Sequence, residues 1–177
     1  TPLFVAPYAG AGKTTYNLVV DDSVVASYTQ TFMKAGLNVG VNLGAFSDVR
    51  LGAYLGRLDA NVAVGDPRLA AVDGKETGAE LTWRLNTQDS PVVPSRGVSV
   101  RTRMLYIFDG PVIDPPLPTT RSSDYLTQLE TTGSYFRRVR SDDRVFVTWG
   151  FGTSFDKTPL QPQQFRLGQP FRLGAYD

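Results

Sequence analysis

Neither cysteine nor histidine occurs anywhere in the 177 residues. The first absence removes disulfides, thiolate nucleophiles and thiolate-held metals. The second removes the ordinary general base of neutral pH and the commonest zinc ligand. Ser-His-Asp, Cys-His and histidine-based metal hydrolysis therefore have no parts to work with, and the chain reads as non-enzymatic, with no catalytic residue, no cofactor and no metal. Long apolar runs are missing too: no stretch approaches the ~18 unbroken apolar residues of a membrane-spanning helix. A membrane β-barrel would escape that test, because only alternate residues of its strands meet lipid. Charge is nearly balanced, at +1 overall, so there is no long-range attraction for nucleic acid. The N-terminus, Thr1-Pro2-Leu3-Phe4, carries no starting methionine, basic segment or apolar leader. Both ends read as cut from a longer chain.

What is present is alternation of period two, the mark of strands. Leu37, Val39, Val41 and Leu43 alternate with Asn38, Gly40, Asn42 and Gly44. Val49, Leu51, Ala53 and Leu55 do so with Arg50, Gly52, Tyr54 and Gly56, and Val145, Val147, Trp149 and Phe151 repeat the pattern. Strands are expected at roughly 2–10, 14–20, 24–33, 36–46, 48–64, 77–89, 96–109, 123–138 and 143–155. Turn residues separate them at Asp21-Asp22-Ser23, Ala45-Phe46-Ser47-Asp48, Gly65 to Lys75, the proline-rich stretch Pro111 to Ser123, and Ser141-Asp142-Asp143. No helix is expected. Alternation alone fits a soluble sandwich as well as a membrane barrel. Several strands exceed the usual ~5–6 residues and are long enough to cross a bilayer at a tilt. Turns that alternate short and long would also match a membrane barrel.

Two motifs resemble catalytic loops and fail on context. Gly10-Ala11-Gly12-Lys13-Thr14-Thr15 ends like a phosphate-binding loop, but Pro7 stands where the first glycine belongs and a β-like run follows. A glycine-rich hairpin turn is the expectation there, and a helix directly after Lys13 would revive nucleotide binding. Gly152-Thr153-Ser154-Phe155-Asp156 lacks the last glycine of a nucleophile elbow and any partner histidine.

In a barrel, mid-depth charges must face the lumen, because a cation on the lipid face costs ~2–4 kcal/mol. Glu80 shares a face with Arg84, Arg101 and Arg103 with Ser99, and Glu130 with Gln128 and Thr132, so these five are the candidate lumen residues. Val98, Val100, Thr102, Met104, Tyr106 and Phe108 would then face lipid. Leu105 and Ile107 fall on the inner side and break the pattern. Phe4, Phe32, Phe46, Tyr106, Phe108, Tyr135 and Phe136 lie near strand ends, where an interfacial girdle of aromatics would sit.

The last stretch, Phe165-Arg166-Leu167-Gly168-Gln169-Pro170-Phe171-Arg172-Leu173-Gly174-Ala175-Tyr176, resembles the sixth extracellular loop of Omp85-type outer-membrane barrels. Gln169 replaces a usual glycine and Leu173 separates Arg172 from Gly174, which is most similar to the branch that follows patatin-like phospholipase domains. Pro94-Ser95-Arg96-Gly97 and the Gly36 to Gly52 hairpin also resemble that family's strands. The resemblance implies an all-β, antiparallel transmembrane β-barrel segment: about eight to nine strands of a larger sixteen-stranded barrel, with residues 155–177 as a long final loop folded into the lumen. It implies a loop tip at Gly168, Arg172, Gly174 and Tyr176. It also implies membrane lipid as a partner, a client or passenger protein or a fused patatin domain, no nucleic acid, and residence in the bacterial outer membrane. The expected role is a pore or scaffold for protein insertion or secretion, or an anchor for a lipase domain lying upstream. The alternative is a soluble antiparallel β-sandwich or barrel that binds a ligand or partner. The soluble reading buries Leu37, Val39, Leu81, Trp83 and Val147; the membrane reading exposes them and turns Arg84, Arg101 and Arg103 inward.

Overall fold

The computed structural model describes residues 3–20, 23–66, 68–69, 71–114, 125–140 and 143–155. They form one antiparallel sheet of long strands and, among the described residues, no helix. The strands are β1 (Leu3–Val20), β2 (Ser23–Asn42), β3 (Ser47–Val64), β4 (Ala71–Asn86), β5 (Gly97–Asp109), β6 (Val112–Asp114), β7 (Leu126–Arg138) and β8 (Arg144–Phe155). Seven of them pair in chain order, β1-β2-β3-β4-β5-β7-β8, and the short β6 continues the line of β5 by pairing with the far end of β4. The break between β5 and β6 falls at Gly110-Pro111, where proline has no N–H to give to a ladder. The sheet is not closed: β1 and β8 do not pair with each other.

Three expectations are corrected here. The runs 2–10 and 14–20 are one strand, as are 24–33 and 36–46. The glycine-rich segment after Ala9 is therefore no turn: Gly10, Gly12 and Lys13 pair with Lys34, Phe32 and Thr31 in an unbroken ladder. Strand, and no helix, follows Lys13. The connections do not alternate short and long. Along the chain they run 21–22, 43–46, 65–70, 87–96, the segment containing β6, and 139–143. The final-loop residues Gly168, Arg172, Gly174 and Tyr176 lie outside the described residues.

The mid-strand glycines have a packing reason. The two faces of the sheet differ, and the face bearing Phe4, Tyr8, Phe32 and Tyr54, called here the packed face, is organised around them. One row across it reads Tyr8, Gly36, Tyr54, Gly78, Ile107, Leu126. Each tyrosine ring lies over the glycine of the next strand. A Cβ on Gly36 would come within 2.7 Å of the Tyr8 ring, and one on Gly78 within 2.8 Å of the Tyr54 ring and 2.7 Å of the Tyr106 carbonyl oxygen. Tyr54, Leu105, Ile107 and Leu126 bury one another there, with Tyr8 against them. Leu105 and Ile107, which break the face alternation in the sequence, are thus the apolar floor of this row. Phe32 covers Gly12 and Phe4 covers Gly40 in the same manner. Glycine on the intervening strand lets side chains two strands apart meet. Lys34 reaches Glu76 across Gly56, and Arg50 lies 5.0 Å from the Phe4 ring across Gly40. A methyl at Gly78 cannot be absorbed by a side-chain shift alone, because the facing carbonyl is backbone. Gly78→Ala should destabilise the fold by about 1–3 kcal/mol, read as a shift of the urea midpoint, whereas Gly10→Ala, where a Cβ meets nothing within 4 Å, should leave it nearly unchanged.

The connection 87–96 is held by one carboxylate. Asp89 accepts from the Ser95 hydroxyl, from the Ser95 N–H at 2.8 Å and from the Arg96 N–H at 3.2 Å. Arg138 of β7 donates to the Ser95 hydroxyl oxygen at 3.0 Å, tying the loop to the neighbouring strand pair. Gly97 follows at φ +111°, a conformation that admits glycine at no cost. The Ser95 hydroxyl first, then the backbone N–H groups, hold the Asp89 carboxyl well below the usual carboxylate range. A depressed folded value means the clamp contributes fully above the unfolded pKa of about 4 and is lost as pH falls through the lower folded value. The Ser95 amide resonance should therefore hold steady from pH 7 to about 4 and move only in stronger acid. Asp89→Ala should open residues 90–94 to proteolysis at neutral pH; an unchanged cleavage rate would refute the clamp.

Candidate functional site: a sheet whose two faces exchange character

The face opposite the packed one, called here the open face, carries an apolar field through the middle of the seven long strands. Successive rows across it read Leu3, Val41, Val49, Trp83, Thr102, Thr131, Phe151; then Val5, Val39, Leu51, Leu81, Met104, Leu129, Thr153; then Pro7, Leu37, Ala53, Ala79, Tyr106, Thr127, Phe155. None of these positions is charged. The field is exposed: Leu37 is 49%, Val39 51%, Leu81 44%, Trp83 39% and Val147 55% accessible. These are the five residues whose burial a soluble sandwich requires. Along β2 the field runs from Met33 to Val41, about 27 Å at ~3.4 Å per residue.

At one level the two faces change places. On the open face of β3, Val49, Leu51, Ala53 and Leu55 give way to Arg57, Asp59 and Asn61. On β2, Met33 gives way to Thr31, Thr29 and Ser27, and on β4, Ala79 and Thr77 give way to Lys75 and Asp73. On β1 the change falls between Ala11 and Lys13. Beyond that level the open face is ionic, with Arg57 between Asp59 at 3.1 Å and Asp73 at 2.8 Å. The packed face changes in the opposite sense at the same level. On one side of it stand Asp48, Arg50, Lys34, Glu76, Glu80 and Arg84. On the other stand Leu58, Ala60 and Val72 with Phe32 against them, and then Tyr16, Ala26 and Tyr28 with Leu18, Val62 and Leu69. The outer part of the hairpins thus buries apolar side chains on the packed face and carries its ion pairs on the open face, whereas in the middle of the same strands the open face is apolar and the packed face combines ion pairs with the row around Tyr54.

The charged groups of the packed face are mostly satisfied by each other. Glu76, 3% accessible, receives Lys34 at 2.7 Å and the Tyr54 hydroxyl at 2.9 Å, and Lys34 sits 4.7 Å from the Tyr54 ring. Arg103 donates to Glu80 at 2.8 Å, and the Thr82 hydroxyl to the other oxygen of Glu80 at 2.9 Å. Arg50 pairs with Asp48.

All five charged positions singled out from the sequence, Glu80, Arg84, Arg101, Arg103 and Glu130, lie on this packed face. Arg103 and Glu80 are brought into contact; Glu130 stands opposite Arg103 and has a partner of its own. The aromatics divide. Tyr106, Phe108 and Tyr135 are on the open face, and Phe46 is exposed in the turn before β3. Phe4 and Phe32 instead cover glycines on the packed face, and Phe136 stacks with Phe146 there, ring centres 5.7 Å apart. Those three are corrections to the girdle expected from strand ends. Sequence reasoning missed the Lys34–Glu76–Tyr54 cluster, whose signal was the glycine at position 56 between two opposite charges. Trp83, placed on the apolar alternation face by the sequence, is on the open face, where its indole donates to the Ser47 hydroxyl at 2.9 Å near the lower edge of the field. No group of acidic side chains able to hold a metal occurs among the described residues, and no helix there is long and apolar enough to cross a membrane.

The fold and its two faces define an antiparallel β-meander with an exposed apolar field. No family profile, curated protein or solved structure matches the chain.

Proposed function

We propose that this sheet is part of the wall of an outer-membrane β-barrel, with the open face against lipid and the packed face toward the lumen. The observation that carries this reading is a change at one level: the open face turns from apolar to polar across β1 to β4, and the packed face turns from charged to apolar across β2 to β4. A strand that stays in water has no reason to invert its polarity halfway along its length. One that passes from hydrocarbon into water must do so, because the preferred exterior changes from apolar to polar. The apolar field, ~20 Å high if the strands tilt by ~40°, approaches the ~25 Å band of such barrels. A contiguous apolar surface of this extent is also far outside what a soluble monomer presents.

Closure is part of the proposal. Open sheet edges cannot stand in hydrocarbon, where unpaired backbone groups find no water. The edges of β1 and β8 therefore require further strands. On the resemblance of Gly168, Arg172, Gly174 and Tyr176 to an Omp85 loop tip, the barrel is of that type. It serves as a pore or scaffold for protein insertion or secretion, or as an anchor for an attached patatin-like lipase. Lipid association is tested by flotation: the protein with the further strands that close its sheet, refolded with phosphatidylcholine vesicles, should rise with them through a density gradient and resist carbonate extraction. Recovery as a soluble monomer without lipid or detergent would overturn the membrane reading. A disulfide between Arg172→Cys and Glu80→Cys, formed in the membrane, would support the lumen-directed loop and hence the family; its absence across several wall positions would remove it.

A further inference from the structure

Two arginines of the packed face stand against each other with no ion-pair partner among the described residues. Arg84 of β4 and Arg101 of β5 are direct cross-strand partners, an arrangement that like charges disfavour. Arg84 also feels Arg50 as a like neighbour, with Asp48 and Glu80 as the opposing charges. Both carboxylates are already engaged, Asp48 by Arg50 and Glu80 by Arg103 and Thr82. Among the described residues neither Arg84 nor Arg101 forms an ion pair, and the Arg84 Nε–H is buried with no hydrogen-bond partner. A buried donor left unmade is costly, and a sheet has cheap ways to avoid it, since Thr132 and Gly150 occupy the same row without charge.

We propose that Arg84 and Arg101, with Arg50 beside them, form an oxyanion-binding site on the packed face, taking a phosphate or carboxylate group. An anion with several oxygens suits two guanidinium forks, which bind carboxylate and phosphate groups in paired hydrogen bonds. It would supply the acceptor that the Arg84 Nε–H lacks and screen the repulsion across the β4–β5 pair. The inference stands on the strand register and the side-chain partners, and does not depend on which solvent the open face meets.

The test is thermal unfolding of the folded 177-residue chain in inorganic phosphate, in acetate and in chloride at matched ionic strength. Phosphate, acetate or both should raise the midpoint over chloride, by on the order of 3 °C at ten times the dissociation constant. A response to phosphate alone assigns a phosphate group as the natural ligand, and a response to acetate a carboxylate. Arg84→Gln and Arg101→Gln should each abolish the response and, in chloride, melt no lower than the parent, because each removes a repelled charge. Arg57→Gln, at the ionic part of the open face, should keep the response. Should either variant fail to fold, the Nε–H resonances of Arg84 and Arg101 in the parent, followed during phosphate titration, read the same binding. A midpoint equal in all three salts, a response that survives both substitutions, or unmoved Nε–H resonances would overturn the site.

Discussion

Leu81→Arg should cost the folded, lipid-inserted chain about 2–4 kcal/mol and slow or abolish its insertion into vesicles. Leu81 lies mid-field on the open face, flanked on neighbouring strands by Leu51 and Met104, with 44% of its surface accessible. The substitution is chemically mild for a surface position in water, where an exposed Leu→Arg change is usually within about 0.5 kcal/mol. The same arginine placed at Thr29, on the same face of β2 but beyond the level at which the faces exchange, should be tolerated. The comparison separates the effect of charge from that of general disruption. Equal losses at both positions, or none at either, would contradict the assignment of the open face to hydrocarbon. Urea midpoints of vesicle-folded protein, with gel mobility as the readout of the folded fraction, give the numbers.

Glu76→Ala should be nearly as damaging, at about 3–5 kcal/mol, because it strands Lys34 and the Tyr54 hydroxyl on the packed face. Glu76 is almost fully buried and serves both groups through one oxygen, while Lys34 is 30% accessible by side chain. An ion pair of this kind need not stabilise relative to an apolar pair. The double variant Lys34→Met with Glu76→Leu should therefore recover most of the loss. A double-mutant cycle reads the coupling directly. Additive losses would show that the two side chains do not act as a pair.

Much of this architecture is legible in the residues. The alternation of Leu37, Val39 and Val41 with Asn38, Gly40 and Asn42 places the strands and the faces, and the charged residues of 80–103 and 130 sort to one side. The exchange of faces is legible too, in Val49-Leu51-Ala53-Leu55 against Arg57-Asp59-Asn61. It is easily passed over, because a window short enough to show alternation is too short to show a change of phase. The glycines mislead. Gly10 and Gly12 read as a turn when local propensity is weighed, and glycine does weaken a strand taken alone. The reason for Gly12 is on a different strand, where the Phe32 ring needs the space over it. Likewise Leu105 and Ile107 contradict a strictly polar packed face until Tyr54 and Leu126 are seen beside them. Contacts of this kind join residues far apart in the chain, and no local pattern announces them. The aromatics at strand ends divided between faces for the same reason: position along a strand says nothing about which side a ring takes.

The central claim is that the open face meets lipid, and the chain carries its own probes for it. It contains two tryptophans, Trp83 and Trp149. Both lie on the open face, on β4 and β8, in neighbouring rows toward the lower edge of the apolar field. Tryptophan fluorescence of the chain folded into vesicles whose acyl chains are brominated should be strongly quenched relative to unbrominated vesicles. Bromine near the glycerol end of the chains should quench more than bromine near the bilayer centre. Emission unchanged by bromine at every depth, from protein that is folded and vesicle-bound, would contradict the account.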